Sequence, residues 1–205
     1  MLTLTRHVRK VLRDMGFTMV ELMVTMAVMA VLAAIALPSF QVFMAENRAS
    51  GKAMELVAAI KTAQTEALRR SRQVVFTLTN SPMPTTALTG AVDGKSWATV
   101  ALPLQDAPSS ETPEVISVGG YSEGTADVVV NTSTAATCFM PDGSIKANTA
   151  TGISGADCDT VAVAGRQFLI RPSRGSKVWQ VSVSPSGKIM RCQGTLDAGG
   201  TFTCS

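Results

Sequence analysis

Gly16-Phe17-Thr18-Met19-Val20-Glu21-Leu22 stands where two very different stretches of sequence meet. Before it lie Arg6, Arg9, Lys10 and Arg13, opposed only by Asp14. After it, Phe17 to Leu37 is a run of 21 residues in which Glu21 is the only charge, and neither Gly nor Pro occurs before Pro38. As a helix rising about 1.5 Å per residue this run spans about 31 Å, close to the hydrocarbon thickness of a bilayer. The basic flank is expected to stay on the cytoplasmic side, which sends the rest of the chain outward. A cleaved secretory signal has a shorter apolar stretch followed by its small-residue cut site. Here the smallest residue, Gly16, comes before the apolar run. A cut after Gly16 at the cytoplasmic face removes residues 1–16 and leaves the anchor in place.

That cut changes how the composition reads. The whole chain of 205 residues has a formal charge of +3 and a pI of 8.8. The leader holds four of the 18 basic and one of the 15 acidic residues, so the remainder carries 14 of each. The basic pI is therefore no sign of a nucleic-acid-binding domain, and any such affinity must come from a local patch. The one histidine, His7, also lies in the leader. Without it, imidazole-based triads and histidine-ligated metal sites are excluded. No spacing of lysines or carboxylates suggests catalysis, so neither an enzyme nor a cofactor is expected. Charged residues make up 16%, against about 25% in an average domain. The length suits one globular domain plus an appended segment.

A carboxylate inside an apolar span is costly, and Glu21 by that rule marks function. The plainer alternative is a side chain that snorkels to the headgroups. Pro38 lacks a backbone donor and clashes with the preceding turn. It is expected to kink the helix, to let it melt, or simply to end the membrane span.

Beyond Pro38, residues 39–72 carry a helical pattern, with Ala53, Leu56, Val57, Ile60, Ala63, Ala67 and Leu68 at three- and four-residue spacing. Gly51 is a local weak point. Arg69, Arg70 and Arg72 suit the negative end of a helix, with an anion or DNA contact as the minor alternative. Strand patterns follow at 74–78, 96–102, 114–118, 127–131, 137–140, 160–170, 177–184 and 188–193. Pro185-Ser186-Gly187 between the last two reads as a hairpin turn. A long N-terminal helix, a membrane half plus an amphipathic half, packed on a single, predominantly antiparallel sheet gives an α+β class. The expected division is a leader at 1–16, a membrane helix at 17–44 and a globular domain at 45–205.

Cys138, Cys158, Cys192 and Cys204 all lie beyond the membrane span, where disulfides are favoured. Four cysteines allow three pairings. Cys138–Cys158 and Cys192–Cys204 are the expected pair because each closes a local loop, worth about 3 kcal/mol by chain entropy. Zinc is the weaker alternative, with no C-x-x-C pair and no histidine after residue 16.

The stretch Gly16 to Leu22, with Glu21 and Pro38, closely resembles the type IV pilin signal. The resemblance implies cleavage after Gly16 by a prepilin peptidase and methylation of the new Phe17 amine. It further implies that Glu21 pairs with the Phe17 amine of a neighbouring subunit during assembly. Asn47-Arg48, the helical stretch Thr65 to Arg70, Phe139 to Gly143, Ile170-Arg171-Pro172 and Val181 to Cys192 resemble the GspH/FimT family of minor pilins and pseudopilins. What this implies is a pilin-like fold, an inner-membrane anchor with a periplasmic domain, and other pilins as partners. The expected role is a minor pilin that assembles into, primes or caps a type IV pilus, serving twitching or DNA uptake.

Two alternatives stand beside it, a DNA-capturing competence pilin and a type II secretion pseudopilin. Some members carry a C-terminal G-R-x-R motif for DNA. Here the matching stretch is Gly187-Lys188-Ile189-Met190, with Arg191 one place late. A phosphate-facing patch of Lys188, Arg191, Arg171 and Arg174, with Arg166 and Lys177, requires adjacent strands to align them.

Overall fold

The computed structural model describes residues 17–81, 88–104, 111–120, 128–158, 165–197 and 199–204. The leader 1–16, including Gly16, lies outside the described residues, as do Asp127 and positions 160–164 of the expected strands. The chain divides into two compact units, one ending at Phe40 and one beginning at Gln41.

Helix α1 runs from Met19 to Arg70 with Pro38 inside it, and nine strands follow. Residues 17–40 are exposed throughout. From Ala45 onward one stripe is buried: Ala45, Ala49, Ala53, Leu56, Ala59, Ile60, Ala63 and Ala67. Six of these eight are alanines, so the backbone of the helix approaches closely, and most of the large core side chains come from the strands, joined by Leu56 and Ile60 of the helix. Leu68, expected on this stripe, is 50% exposed, because the stripe turns off its position in the last turn. The helix continues through Gly51, where a Cβ would meet nothing within 4 Å. It ends at Ser71, which adopts φ of 51° in the left-handed region common just past a helix end.

The strands are β1 Val74–Thr79, β2 Ser96–Ala101, β3 Glu114–Gly120, β4 Val128–Thr132, β5 Ala136–Phe139, β6 Arg166–Pro172, β7 Val178–Val183, β8 Ile189–Leu196 and β9 Phe202–Cys204. They form two sheets, ordered β3-β2-β1-β5 and β4-β6-β7-β8-β9, with every paired neighbour antiparallel. The split is a difference from the single sheet expected. β4 and β5 are only three residues apart, yet β4 pairs with β6 and β5 with β1. Strand periodicity shows which residues form strands but not which strands pair. β9 was not expected either; three residues are too few to show a period.

One core joins both sheets to the helix. It holds the alanine stripe, Val74, Phe76 and Leu78 of β1, Phe139 of β5, Phe168 and Ile170 of β6, and Val181 and Val183 of β7. Phe76 meets Phe168 edge to face at 6.0 Å, an aromatic contact across the two sheets. A second cluster lies on the other face of the four-stranded sheet, where Ile153, Ala156 and Cys158 cover Val75, Ala98, Val100 and Ala136. β1 is thus buried on both faces.

Candidate functional site

The first site is the start of α1. Thr18 precedes the first helical residue and its hydroxyl accepts the Glu21 N–H at 3.2 Å. Thr18-Met19-Val20-Glu21 is a helix-start pattern of the T-x-x-E type. Thr18 is thus a residue of this site that the T-x-x-E spacing makes legible in the sequence, beside the Glu21 that hydropathy alone marks. The Glu21 carboxylate sits in the first turn, where the helix dipole favours negative charge, and makes no ion pair among the described residues. Phe17 is 82% exposed. α1 is long and apolar enough to cross a membrane, by length and composition. Pro38 lies within the helix, which continues to Arg70.

The cysteines are all bonded: Cys138 to Cys158 and Cys192 to Cys204. The first pins the covering segment to the four-stranded sheet, in register with the Asn148–Cys158 backbone pair. The second holds β9 on the edge of the five-stranded sheet. No group of three metal-ligating side chains gathers among the described residues.

The basic residues do not converge. Arg166 faces the core and is buried. Arg171, at the other end of β6, is exposed on the opposite face, about 17 Å away by strand rise. Arg174 hydrogen-bonds Gln41. Lys177 pairs with Glu46 at 3.1 Å. Although desolvation opposes it, the Lys177 hydrogen bonds and charge hold the Glu46 carboxyl below its ordinary value. Lys188 is exposed at the β7–β8 turn. Arg191 lies over the Trp179 ring at 4.5 Å. Trp179, Val181 and Arg191 share the helix-facing side, as the Val181–Arg191 register and the period of two require. Met190 therefore points the other way, so Arg191 does not replace a cation at position 190. The cluster at the end of α1 is taken up internally. Arg69 and Arg70 share Glu66, Arg70 also reaches Glu114 at 2.7 Å, and Arg72 pairs with Glu111.

Two turns quoted above meet in space. Gln64 of α1 donates through Nε2 to the Gly143 and Gly187 carbonyls, both at 2.8 Å. Both glycines have φ near +80°, and a Cβ at Gly187 would stand 2.0 Å from the Gly143 oxygen. Ile145 N–H donates to the Pro185 carbonyl at 3.0 Å. Pro141-Asp142-Gly143 and Pro185-Ser186-Gly187 thus form a paired contact between the sheets that the helix locks. Either turn is readable in sequence; their meeting is not.

A long N-terminal helix, apolar in its first half and laid by an alanine stripe on antiparallel sheets, defines a type IV pilin-like protein, a class of structural subunits. The chain belongs to the GspH family: the model described as Type II transport protein GspH matches residues 52–187. The prokaryotic N-terminal methylation motif matches residues 16–37. Two relatives described as fimbrial proteins of Pseudomonas aeruginosa are 38% identical over 64 residues, or 31% of this chain. The match spans 41% of those relatives' own length. Two crystal structures of the type IV minor pilin FimU of Pseudomonas aeruginosa are similar at TM-scores of 0.47 and 0.44, with 15% and 13% identity. They cover 78% and 75% of this chain, and 96% of each of those chains.

Proposed function

We propose that this chain is a minor type IV pilin, cut after Gly16 and methylated on Phe17, that enters a filament through its apolar helix with the globular domain on the periplasmic side. The observation that carries this reading is residues 17–40, a helical segment exposed on all sides with one carboxylate at its start. Such a surface needs lipid or other helices around it. Lipid alone gives no use for Glu21, since an anchor inserts better without a carboxylate. A neighbouring subunit's free Phe17 amine supplies the opposite charge, and the pairing fixes subunit register. Other pilins, the prepilin peptidase and the inner membrane are then its partners.

The test is Glu21→Ala in cells lacking the native copy. Membrane levels should match wild type while the chain disappears from sheared filaments; undiminished incorporation would overturn the reading. N-terminal sequencing of the membrane-extracted chain should begin at methylated Phe17. The description of the matching family model favours one second reading, a pseudopilin of a type II secretion system. Deletion then abolishes secretion and leaves piliation intact.

A further inference from the structure

The apolar run ends at Leu37, and Gln41 follows four residues later. Four residues cover about 6 Å as helix and at most about 14 Å fully extended. Whatever angle the domain takes to the span, Gln41 is therefore tied to the headgroup layer, which is about 5–8 Å thick on each side of the hydrocarbon core.

The fold fastens the β6–β7 loop to this point. Arg174 hydrogen-bonds Gln41 through its guanidinium. Lys177 holds Glu46 through Nζ at 3.1 Å and through its backbone N–H at 3.4 Å. Between them Gly175 adopts φ of 102°, and a Cβ there would stand 2.7 Å from Glu46 Oε1. The loop is thus seated tightly on α1. Arg171, three residues before Arg174, is exposed at the end of β6.

The carboxylates at this end are engaged elsewhere. Glu46 is taken by Lys177. Asp197, brought to the same end by the Val178–Gly194 register, accepts the Gly199 and Thr201 N–H groups of its own turn. Neither Arg171 nor Arg174 forms an ion pair among the described residues. Phe43 and Met44, in the turn of α1 that begins at Gln41, are 59% and 37% exposed. Exposed apolar side chains beside cations suit a surface that lies in a membrane interface.

We propose that Arg171 and Arg174 bind the phosphates of anionic phospholipid headgroups in the bilayer that α1 enters, with Phe43 and Met44 entering the acyl boundary. A guanidinium fork fits two phosphate oxygens at once, and Arg174 keeps donors beyond the one spent on Gln41. In the inserted chain the nearest phosphates to both arginines are those of the headgroups, which favours lipid over DNA for this pair. Each cation near an anionic surface favours the contact about fivefold. The inference rests on the membrane reading of residues 17–37 and adds which lipid the domain meets. The contact holds the domain down on the bilayer, so departure into a filament has to break it.

The test uses the full chain reconstituted into phosphatidylcholine vesicles with or without one third phosphatidylglycerol. A fluorophore on Ser176→Cys reports approach to the surface through quenching by a headgroup nitroxide lipid. Thr149→Cys is the control, beside the Asn148 that bonds Gln73 past the far end of α1, about 44 Å along the helix. Quenching at position 176 should rise about threefold with the anionic lipid, and position 149 should stay unquenched. Arg171→Glu/Arg174→Glu should abolish the rise, as should about 1 M salt, where the Debye length is about 3 Å. Arg171→Lys/Arg174→Lys should keep most of it and guards against a folding defect. Quenching that ignores lipid charge, or that survives charge reversal, overturns the proposal. So does retardation of duplex DNA by these arginines without any effect of the anionic lipid. Flotation separates the two readings. A chain that fails to float with either vesicle overturns the membrane reading and this proposal with it, whereas a floating chain with no lipid-dependent quenching overturns this proposal alone.

Discussion

Removing the Gln64 amide leaves two carbonyls, those of the buried Gly143 and Gly187, without the donor they share. An unsatisfied buried acceptor costs about 1–3 kcal/mol. Gln64→Ala should therefore lower the stability of the domain by about that amount, whereas Thr65→Ala on the exposed side should stay within about 0.5 kcal/mol. Urea denaturation of the two variants measures the difference. Glu66, two residues on, is held at about 2 against an ordinary 4.5, first by the Arg69 and then by the Arg70 hydrogen bond. A carboxylate depressed in the folded state contributes stability above its ordinary value and loses it as the pH falls toward the folded value. The urea midpoint should thus decline as the pH falls from 4.5 toward 2, and Glu66→Gln should flatten part of that slope. The effect is modest because helix-surface pairs are solvent-screened.

The covering segment after β5 depends on one crosslink and two close backbone approaches. Gly90 N–H donates to the Ser154 carbonyl at 2.8 Å, and a Cβ at Gly90 would lie 2.2 Å from the Gly155 oxygen. Cys138–Cys158 closes the loop from β5 over a separation of 20 residues. A Cys138→Ala/Cys158→Ala variant should lose about 3 kcal/mol and become protease-sensitive between residues 147 and 157. Losing Cys192–Cys204, by contrast, should free only β9, a three-residue edge strand. The helix contributes in a different way. Its alanines supply little apolar area, so its contribution comes mainly from Leu56 and Ile60, packed with Phe76, Phe139 and Phe168 of the strands.

At the scale of the whole molecule, processing and charge are linked. Loss of residues 1–16 takes away four basic residues and one acidic residue and leaves 14 of each. Isoelectric focusing of the membrane-extracted chain should place it near neutrality, well below the 8.8 of the full sequence. A mature chain still focusing near 8.8 would show that the leader is retained. The charge of the same neutral chain is unevenly distributed along the sequence, with six basic residues against Asp197 alone in 165–204, four of them buried or held against the helix side.

The local properties were legible in the residues themselves. The membrane-length run, the carboxylate at Glu21, the amphipathic stripe and most strand positions follow from hydropathy and period, which act over a few residues. The cysteine pairs followed from short loop closure. What only the tertiary structure decided is how distant segments meet. It separated the strands into two sheets, brought the turns at Gly143 and Gly187 onto Gln64, and buried Arg166 while exposing Arg171. It also turned Arg191 over Trp179 and away from Met190. Each of these depends on strand pairing and register, where a shift of one residue exchanges the faces of a strand. Sequence periodicity fixes the alternation along a strand, but hydrogen bonding to a partner far along the chain fixes which side meets the helix.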